Sequence, residues 1–181
     1  MSFEQALTLT MSAAIEGGYT RSATDPGNWT GGRVYAGQLV GTNHGISAPV
    51  LSAWLGRTAT ETEMRALTRD EAAAIYQVRY WRACACDRLP PSIAGLIFDA
   101  AVNQGEGFAP RLLQQALSVP ADGQIGPLTL AAAVRADPAD LHAEIARLRA
   151  ERYRASTDWP RFGTGWLRRL MRVVAATASF S

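Results

Sequence analysis

The sequence predicts a mainly α-helical protein with one small β-hairpin or loop excursion near its start. Helical apolar spacing recurs from Phe3 to the C-terminal residues, and helix stop and start signals separate the periodic runs. Between Thr20 and Gly45 the chain turns polar and carries Gly27, Gly31, Gly32, Gly37, Gly41 and Gly45, with no such spacing. The chain has 181 residues, 48% of them hydrophobic. That suits one domain, or one domain with a modest second lobe, and is enough to bury a core.

Phe3, Leu7, Met11, Ala14 and Ile15 lie on one helical face, so a first helix runs to about Glu16, where Gly17 and Gly18 stop it. Short alternating stretches, Arg33-Val34-Tyr35 and Gln38-Leu39-Val40, fit a small hairpin or an ordered loop. Ser47 caps a short helix through Trp54. Thr68 and Glu71 have capping-box spacing, in which the two side chains serve each other's orphan amides. The helix they open is expected to reach about Cys86. Pro90 and Pro91 break the chain, and the strongly apolar helix from Ser92 to Asn103 takes the centre. Further helices are predicted over Phe108–Leu117, Leu128–Arg135 behind Pro127, from Asp137-Pro138 to about Ser156, and over Trp166–Ala178.

Composition narrows the partners. No run of 18 apolar residues is present, so stable membrane insertion is not expected. The first ten residues lack the positive start and cleavage pattern of a signal peptide, which points to synthesis in the cytoplasm. All 18 basic residues are arginine. Eight of them fall between Arg147 and the C-terminus against Glu151 and Asp158, a balance of +6 that leaves −4 for the preceding residues. A basic tail suits an anionic wall polymer, a membrane surface or nucleic acid, but it equally describes a solvated helix face. The last predicted helix sets Trp166, Leu167, Leu170 and Val173 against Arg168, Arg169 and Arg172. Its apolar side is expected to pack on its own domain rather than on lipid. Cys84 and Cys86 are two apart on a helix and read as small buried residues. With His44 and His142 as the only histidines, no metal-ligand spacing exists and no cofactor is expected.

The chemistry concentrates in "SAAIEGGYTRSATDPGNW", Ser12 to Trp29. Glu16 ends a helix, where unpaired carbonyls carry roughly half an elementary negative charge and disfavour ionisation. A stable helix would place arginine there. A carboxylic acid that keeps its proton near neutral pH can deliver it to a leaving oxygen. Asp25 follows nine residues later in an Asp-Pro-Gly turn, a setting that keeps a carboxylate solvated and ionised. Two carboxyls pushed toward opposite protonation states are what glycoside hydrolysis requires. Tyr19 offers a flat ring and a hydroxyl to a sugar. Thr42, Asn43 and His44 before Gly45 form a candidate polar ligand wall, or else simply close a hairpin. Trp81, beside Arg79 and Arg82, stays open between core and saccharide cleft, whereas Tyr76 on the same helix reads as core. Asp99 with Asn103 one turn later reads as a tie for a loop or helix end, ahead of a direct catalytic role.

These phrases carry a resemblance. "EGGYTRSATDPGNWTGG", "GTNHGIS", "AAIYQVRYW" and "FDAAVNQG" resemble the N-acetylmuramidases of glycoside hydrolase family 108. "LLQQALSVPADGQIGPLTL" is similar to the predicted peptidoglycan domain that completes such proteins. The likeness covers roughly Phe3 to Arg154. It implies a lysozyme-like fold with residues 1–90 as the catalytic lobe and 91–181 as a helical lobe resembling a peptidoglycan-binding domain, the two forming one integrated fold. It also implies hydrolysis of the β-1,4 bond after N-acetylmuramic acid. Glu16 would be the general acid, with Asp25 and Thr42 positioning water beneath the sugar. Tyr19, Asn43, His44, Trp81 and Asn103 would bind substrate. This chain has Asn28 at the second glycine of the family's D-P-G-G phrase, followed by a short insertion, which loosens the registration of Thr42.

The expected partners are peptidoglycan glycan strands met by a monomer, with no nucleic acid and no cofactor. The expected setting is a phage endolysin that reaches the periplasm or wall by holin-type or dedicated release. A non-catalytic peptidoglycan-binding protein, a lytic transglycosylase and a membrane-active lytic protein are the rival readings.

Overall fold

The computed structural model describes the backbone of residues 1–16 and 18–180, and side chains outside 12–17. Among the described residues, nine α-helices follow one another: α1 (Phe3–Glu16), α2 (Ala48–Leu55), α3 (Glu61–Ala66), α4 (Arg69–Tyr76), α5 (Pro91–Gln104), α6 (Phe108–Ala116), α7 (Pro127–Arg135), α8 (Pro138–Arg154) and α9 (Trp159–Ala178). The mainly α class expected from the sequence is what forms. The contacts divide the chain into two compact units, residues 11–76 and residues 1–10 with 77–181. This boundary does not fall at residue 90, and the first turns of α1 group with the later helices.

In the smaller unit, the glycine-rich excursion forms no named strand among the described residues. Instead, isolated antiparallel bridges join Thr20 to Thr42, Trp29 to Leu39 and Asn43 to Ile46. The expected insertion is a loop closed by Thr30 N–H to Gln38 O at 2.9 Å and Gly31 N–H to Ala36 O at 3.0 Å, with the Trp29 and Tyr35 rings edge to face. Val40, Ile46, Leu51, Met64, Ile75 and Tyr76 are buried, so the core expectation for Tyr76 holds. Helix α3 is an addition to the sequence reading. Thr60 and Glu63 form a second capping box, with the Glu63 carboxyl accepting from Thr60 N–H at 2.9 Å. Six residues are too few for a periodic signal, but the T-x-x-E spacing was available to find it. Thr68 and Glu71 form the expected box at the head of α4, where Glu71 accepts from Thr68 N–H at 2.8 Å.

The helix expected to reach Cys86 ends its α-geometry at Tyr76. Gln77–Arg82 is a π-helical turn, and Cys86–Arg88 a short 3₁₀ turn. In the larger unit, every residue of α5 from Ser92 to Ala101 is buried, because α6, α8 and α9 pack around it. A helix apolar on all sides belongs at the centre of its neighbours. Gly95 has a packing reason: a Cβ there would meet Met1 Sδ at 2.5 Å and Thr177 Cγ2 at 2.6 Å. Helix α9 begins at Trp159, seven residues before the expected start. It buries Gly163, Leu170, Val173 and Thr177 and exposes Arg168 and Arg172, so its apolar stripe does pack inward. No described helix is long and apolar enough to cross a membrane.

Candidate functional site

Glu16 is the last residue of α1, as the spacing predicted. Its side chain lies outside the described residues, as does Gly17. What the structure describes is the frame that follows. Four residues on, Thr20 and Thr42 exchange both backbone hydrogen bonds at 2.8 Å. Gly41, with φ of 90°, makes this approach possible: a Cβ there would sit 2.6 Å from the Thr20 carbonyl and 2.7 Å from the Tyr19 ring.

Asp25 caps the 3₁₀ turn Pro26–Asn28. It is exposed, and its Oδ1 accepts from Gly27 N–H at 2.8 Å. On the other side of the same glycine, the carbonyl of Gly27 accepts from the Thr42 hydroxyl at 3.5 Å. Asp25 and Thr42, seventeen residues apart by number once the insertion is counted, are thus seated on one glycine. Asn28 links the two segments. It is buried, its Oδ1 accepts from Ser22 N–H at 3.2 Å, and its carbonyl accepts from Val40 N–H at 2.9 Å and Gly41 N–H at 3.1 Å. The residue that departs from the family phrase therefore ties the Asp25 turn to the segment carrying Thr42.

Tyr19 is half-buried and already engaged. Its hydroxyl donates to the Val40 carbonyl at 3.1 Å, and the Arg65 guanidinium sits 4.0 Å over its ring. Burial pushes its phenol above the ordinary range. Asn43 requires a correction. Its side chain is buried and its Nδ2 donates to the carbonyls of Met64 at 2.9 Å, Leu67 at 3.3 Å and Arg65 at 3.4 Å. These are orphan carbonyls around the end of α3, so the amide serves a helix terminus rather than a ligand. His44 and Gly45, with φ of 48° and 75°, form the two central positions of a tight turn closed by Asn43 and Ile46, and His44 is half-buried.

Trp81 also requires a correction. It is buried at 2% exposure, its Nε1–H donates to Asp87 Oδ1 at 2.5 Å, and its ring meets Phe3 and Phe98 edge to face. Such a ring is core, and the flanking arginines that suggested a cleft do not change that. Asn103, in contrast, lines an open groove of about 470 Å³ with Gln104, Arg152, Tyr153, Trp166 and Arg169. Its Nδ2 donates to the Asp99 carbonyl at 2.8 Å and to Asp99 Oδ1 at 3.1 Å.

Asp99 is wholly buried, with Oδ2 2.5 Å from Arg149 Nη2 and Oδ1 2.8 Å from Arg169 Nη2. It ties α8 and α9 to α5, the structural role the sequence favoured. Cys84 and Cys86 are buried free thiols, and burial pushes Cys84 up to about 12. Among the described residues, no group of three or more His, Cys, Asp or Glu could hold a metal ion.

The Asp122-Gly-Gln-Ile-Gly-Pro turn is held from inside. The buried Gln114 donates to Asp122 Oδ1 at 2.6 Å and Gln124 O at 3.0 Å, and accepts from Gly123 N–H at 2.8 Å. The Asp122 carboxyl and the backbone of this motif are thus engaged in closing the turn.

Residues 9–105 match the family model described as glycosyl hydrolase 108, and residues 108–171 match the one described as predicted peptidoglycan domain. The solved structure of Brucella abortus SagA is similar over 99% of this chain and 95% of that one, at 34% identity and a TM-score of 0.85. No curated protein matches the chain.

Proposed function

The chain belongs to glycosyl hydrolase family 108, and from that premise we propose that it is an N-acetylmuramidase cutting the β-1,4 bond between N-acetylmuramic acid and N-acetylglucosamine. At the coarser level it is a glycoside hydrolase directed at peptidoglycan. The observation that carries the finer reading is the shared seat of Asp25 and Thr42 on the two sides of Gly27, in the loop that follows the helix ending in Glu16.

In the proposed mechanism, Glu16 protonates the glycosidic oxygen while positive charge develops at the anomeric carbon. The exposed Asp25 carboxylate stabilises that charge or accepts a proton from water, which the Thr42 hydroxyl helps to orient. Oδ1 of Asp25 is held by the Gly27 amide, so the group enters the reaction in a fixed direction. Tyr19 acts chiefly by shaping the loop through the Val40 carbonyl. The separation of the two carboxyls decides the stereochemistry: about 6.5–9.5 Å suits inversion and about 5–5.5 Å retention. Asn103 contributes from the groove that it lines. The arrangement works as a monomer on glycan strands.

Mass spectra of muropeptides from digested sacculi test the reading. N-acetylmuramic acid reducing ends are expected. 1,6-Anhydro ends would identify a lytic transglycosylase instead. A Glu16→Gln variant is expected to sediment with sacculi and leave them intact, and digestion at the parent rate would refute the assignment of the acid. An endolysin role, with passage to the periplasm through a holin-type or dedicated route, extends the proposal. Lysis that depends on coexpressed holin is the outcome expected.

A further inference from the structure

Within residues 108–171, the Asp122 carboxyl and the backbone of the turn motif are engaged in folding, and other side chains are the candidates for contact with a wall polymer. The groove at the C-terminal ends of α5 and α8, walled by α9, has the chemistry for it. Its volume of about 470 Å³ is in the range of small-molecule sites. Trp166 is half-buried on the groove wall, and the Tyr153 ring stacks against it at 5.3 Å between centroids, with Phe162 at 5.9 Å. The indole is therefore a fixed platform. Arg152 is exposed on the groove, with its guanidinium 4.0 Å over the Phe108 ring and Nη2 3.4 Å from the Gln104 carbonyl. No described carboxylate pairs with it. Arg169, the other cation of the lining, shares the single carboxylate of Asp99 with Arg149. Arg152 thus presents an oriented positive charge, with no described carboxylate on it, beside an aromatic face.

We propose that this groove is a subsite for a carboxylate-bearing sugar, the ring lying against Trp166 and the carboxylate on Arg152. The proposal rests on the peptidoglycan-hydrolase reading and narrows it: N-acetylmuramic acid, or the peptide attached to it, supplies the carboxylate, while a neutral chitin oligosaccharide lacks it. A planar guanidinium pairs with a carboxylate through two parallel hydrogen bonds, which a neutral ester cannot reproduce.

The full chain is titrated with the disaccharide of N-acetylglucosamine and N-acetylmuramic acid, with its methyl ester, and with the disaccharide carrying a tripeptide. The readouts are calorimetry and the NMR indole signal of Trp166. The acid is expected to bind about tenfold tighter than the ester, and Arg152→Gln to remove that difference, as loss of one charge-assisted pair implies. Preference restricted to the tripeptide form, again lost in Arg152→Gln, assigns the carboxylate to the peptide and supports the groove equally. Trp166→Ala is expected to abolish binding of all three, with circular dichroism checking its fold. Equal affinity for acid, ester and tripeptide form, or a preference that persists unchanged in Arg152→Gln, overturns the proposal. Its failure is distinguishable from failure of the enzymatic reading, because release of muropeptides from sacculi by the parent chain is measured separately.

Discussion

Asp99 on α5 and Arg149 on α8 meet at 2.5 Å with neither side chain exposed to solvent. Arg149 also donates from Nε to Gln104 Oε1 at 2.8 Å and from Nη1 to the Leu96 carbonyl at 3.3 Å. Asp99 takes a second arginine, Arg169, whose Nη2 also donates to the Thr10 carbonyl at 2.8 Å. Removing one partner of such a pair leaves an uncompensated buried charge, at a cost of about 3–5 kcal/mol. Asp99→Ala is therefore expected to lower the unfolding free energy by that order, read by urea denaturation. Replacing Asp99 with Leu and Arg149 with Met together is expected to recover a large part of the loss. A double variant as unstable as the single one would show that the hydrogen bonds matter more than the desolvation.

Asp25→Asn separates charge from geometry. The amide oxygen can still accept from Gly27 N–H, so the turn is expected to persist while the negative charge is gone. Wall digestion should fall about 10²–10⁴-fold, the usual scale for a positioned acid–base group, with an unchanged melting curve. Thr42→Val should lose activity through the hydroxyl alone, and Thr42→Ser should restore most of it. Full activity in both Asp25→Asn and Thr42→Val would remove the shared seat on Gly27 from the mechanism.

Cys84 should be inert in the folded protein. Its thiol is pushed up to about 12 by burial, so almost no thiolate exists at pH 8, and both cysteines are buried. Ellman's reagent is expected to find no thiol in the native chain and two after denaturation. Rapid reaction of either under native conditions would contradict the packing around the π-helical turn.

His142 sets a pH dependence of stability. It is buried, its Nε2 lies 2.8 Å from Thr177 Oγ1, and burial lowers its pKa below the ordinary 6.5. The Thr177 hydroxyl donates to the Val173 carbonyl, so it accepts from a neutral Nε2–H. The unfolded chain holds the proton more tightly than the folded one. Stability is therefore full above about 6.5 and declines as pH falls through the window toward the lowered folded value. Melting temperature should drop from pH 7.5 to pH 5.5, and His142→Gln should flatten this slope. An equal slope in the variant would assign the dependence to carboxylates instead.

Periodicity and caps alone were enough to read most helices, because a run that must bury one face writes that face into its spacing. The same local signals marked the end of α1 at Glu16, the Asp25 turn and the box at Thr68. They failed where the deciding partner is distant in sequence. Asn43 looked like a ligand wall because its neighbours are polar, yet its amide closes the end of α3, a helix too short to announce itself. Trp81 looked like a cleft residue beside two arginines, yet Phe3, Asp87 and Phe98 enclose it. Arg152, Tyr153 and Trp166 carry no signal as a group in the sequence, since no spacing relates the end of one helix to the face of the next. The sequence by itself determined helical class, family and the order of the candidate carboxylates, all of which follow from short-range chemistry. Only the tertiary structure decided which polar and aromatic side chains are spent on packing and which remain for a ligand, because burial is set by neighbours that the chain brings together from far apart.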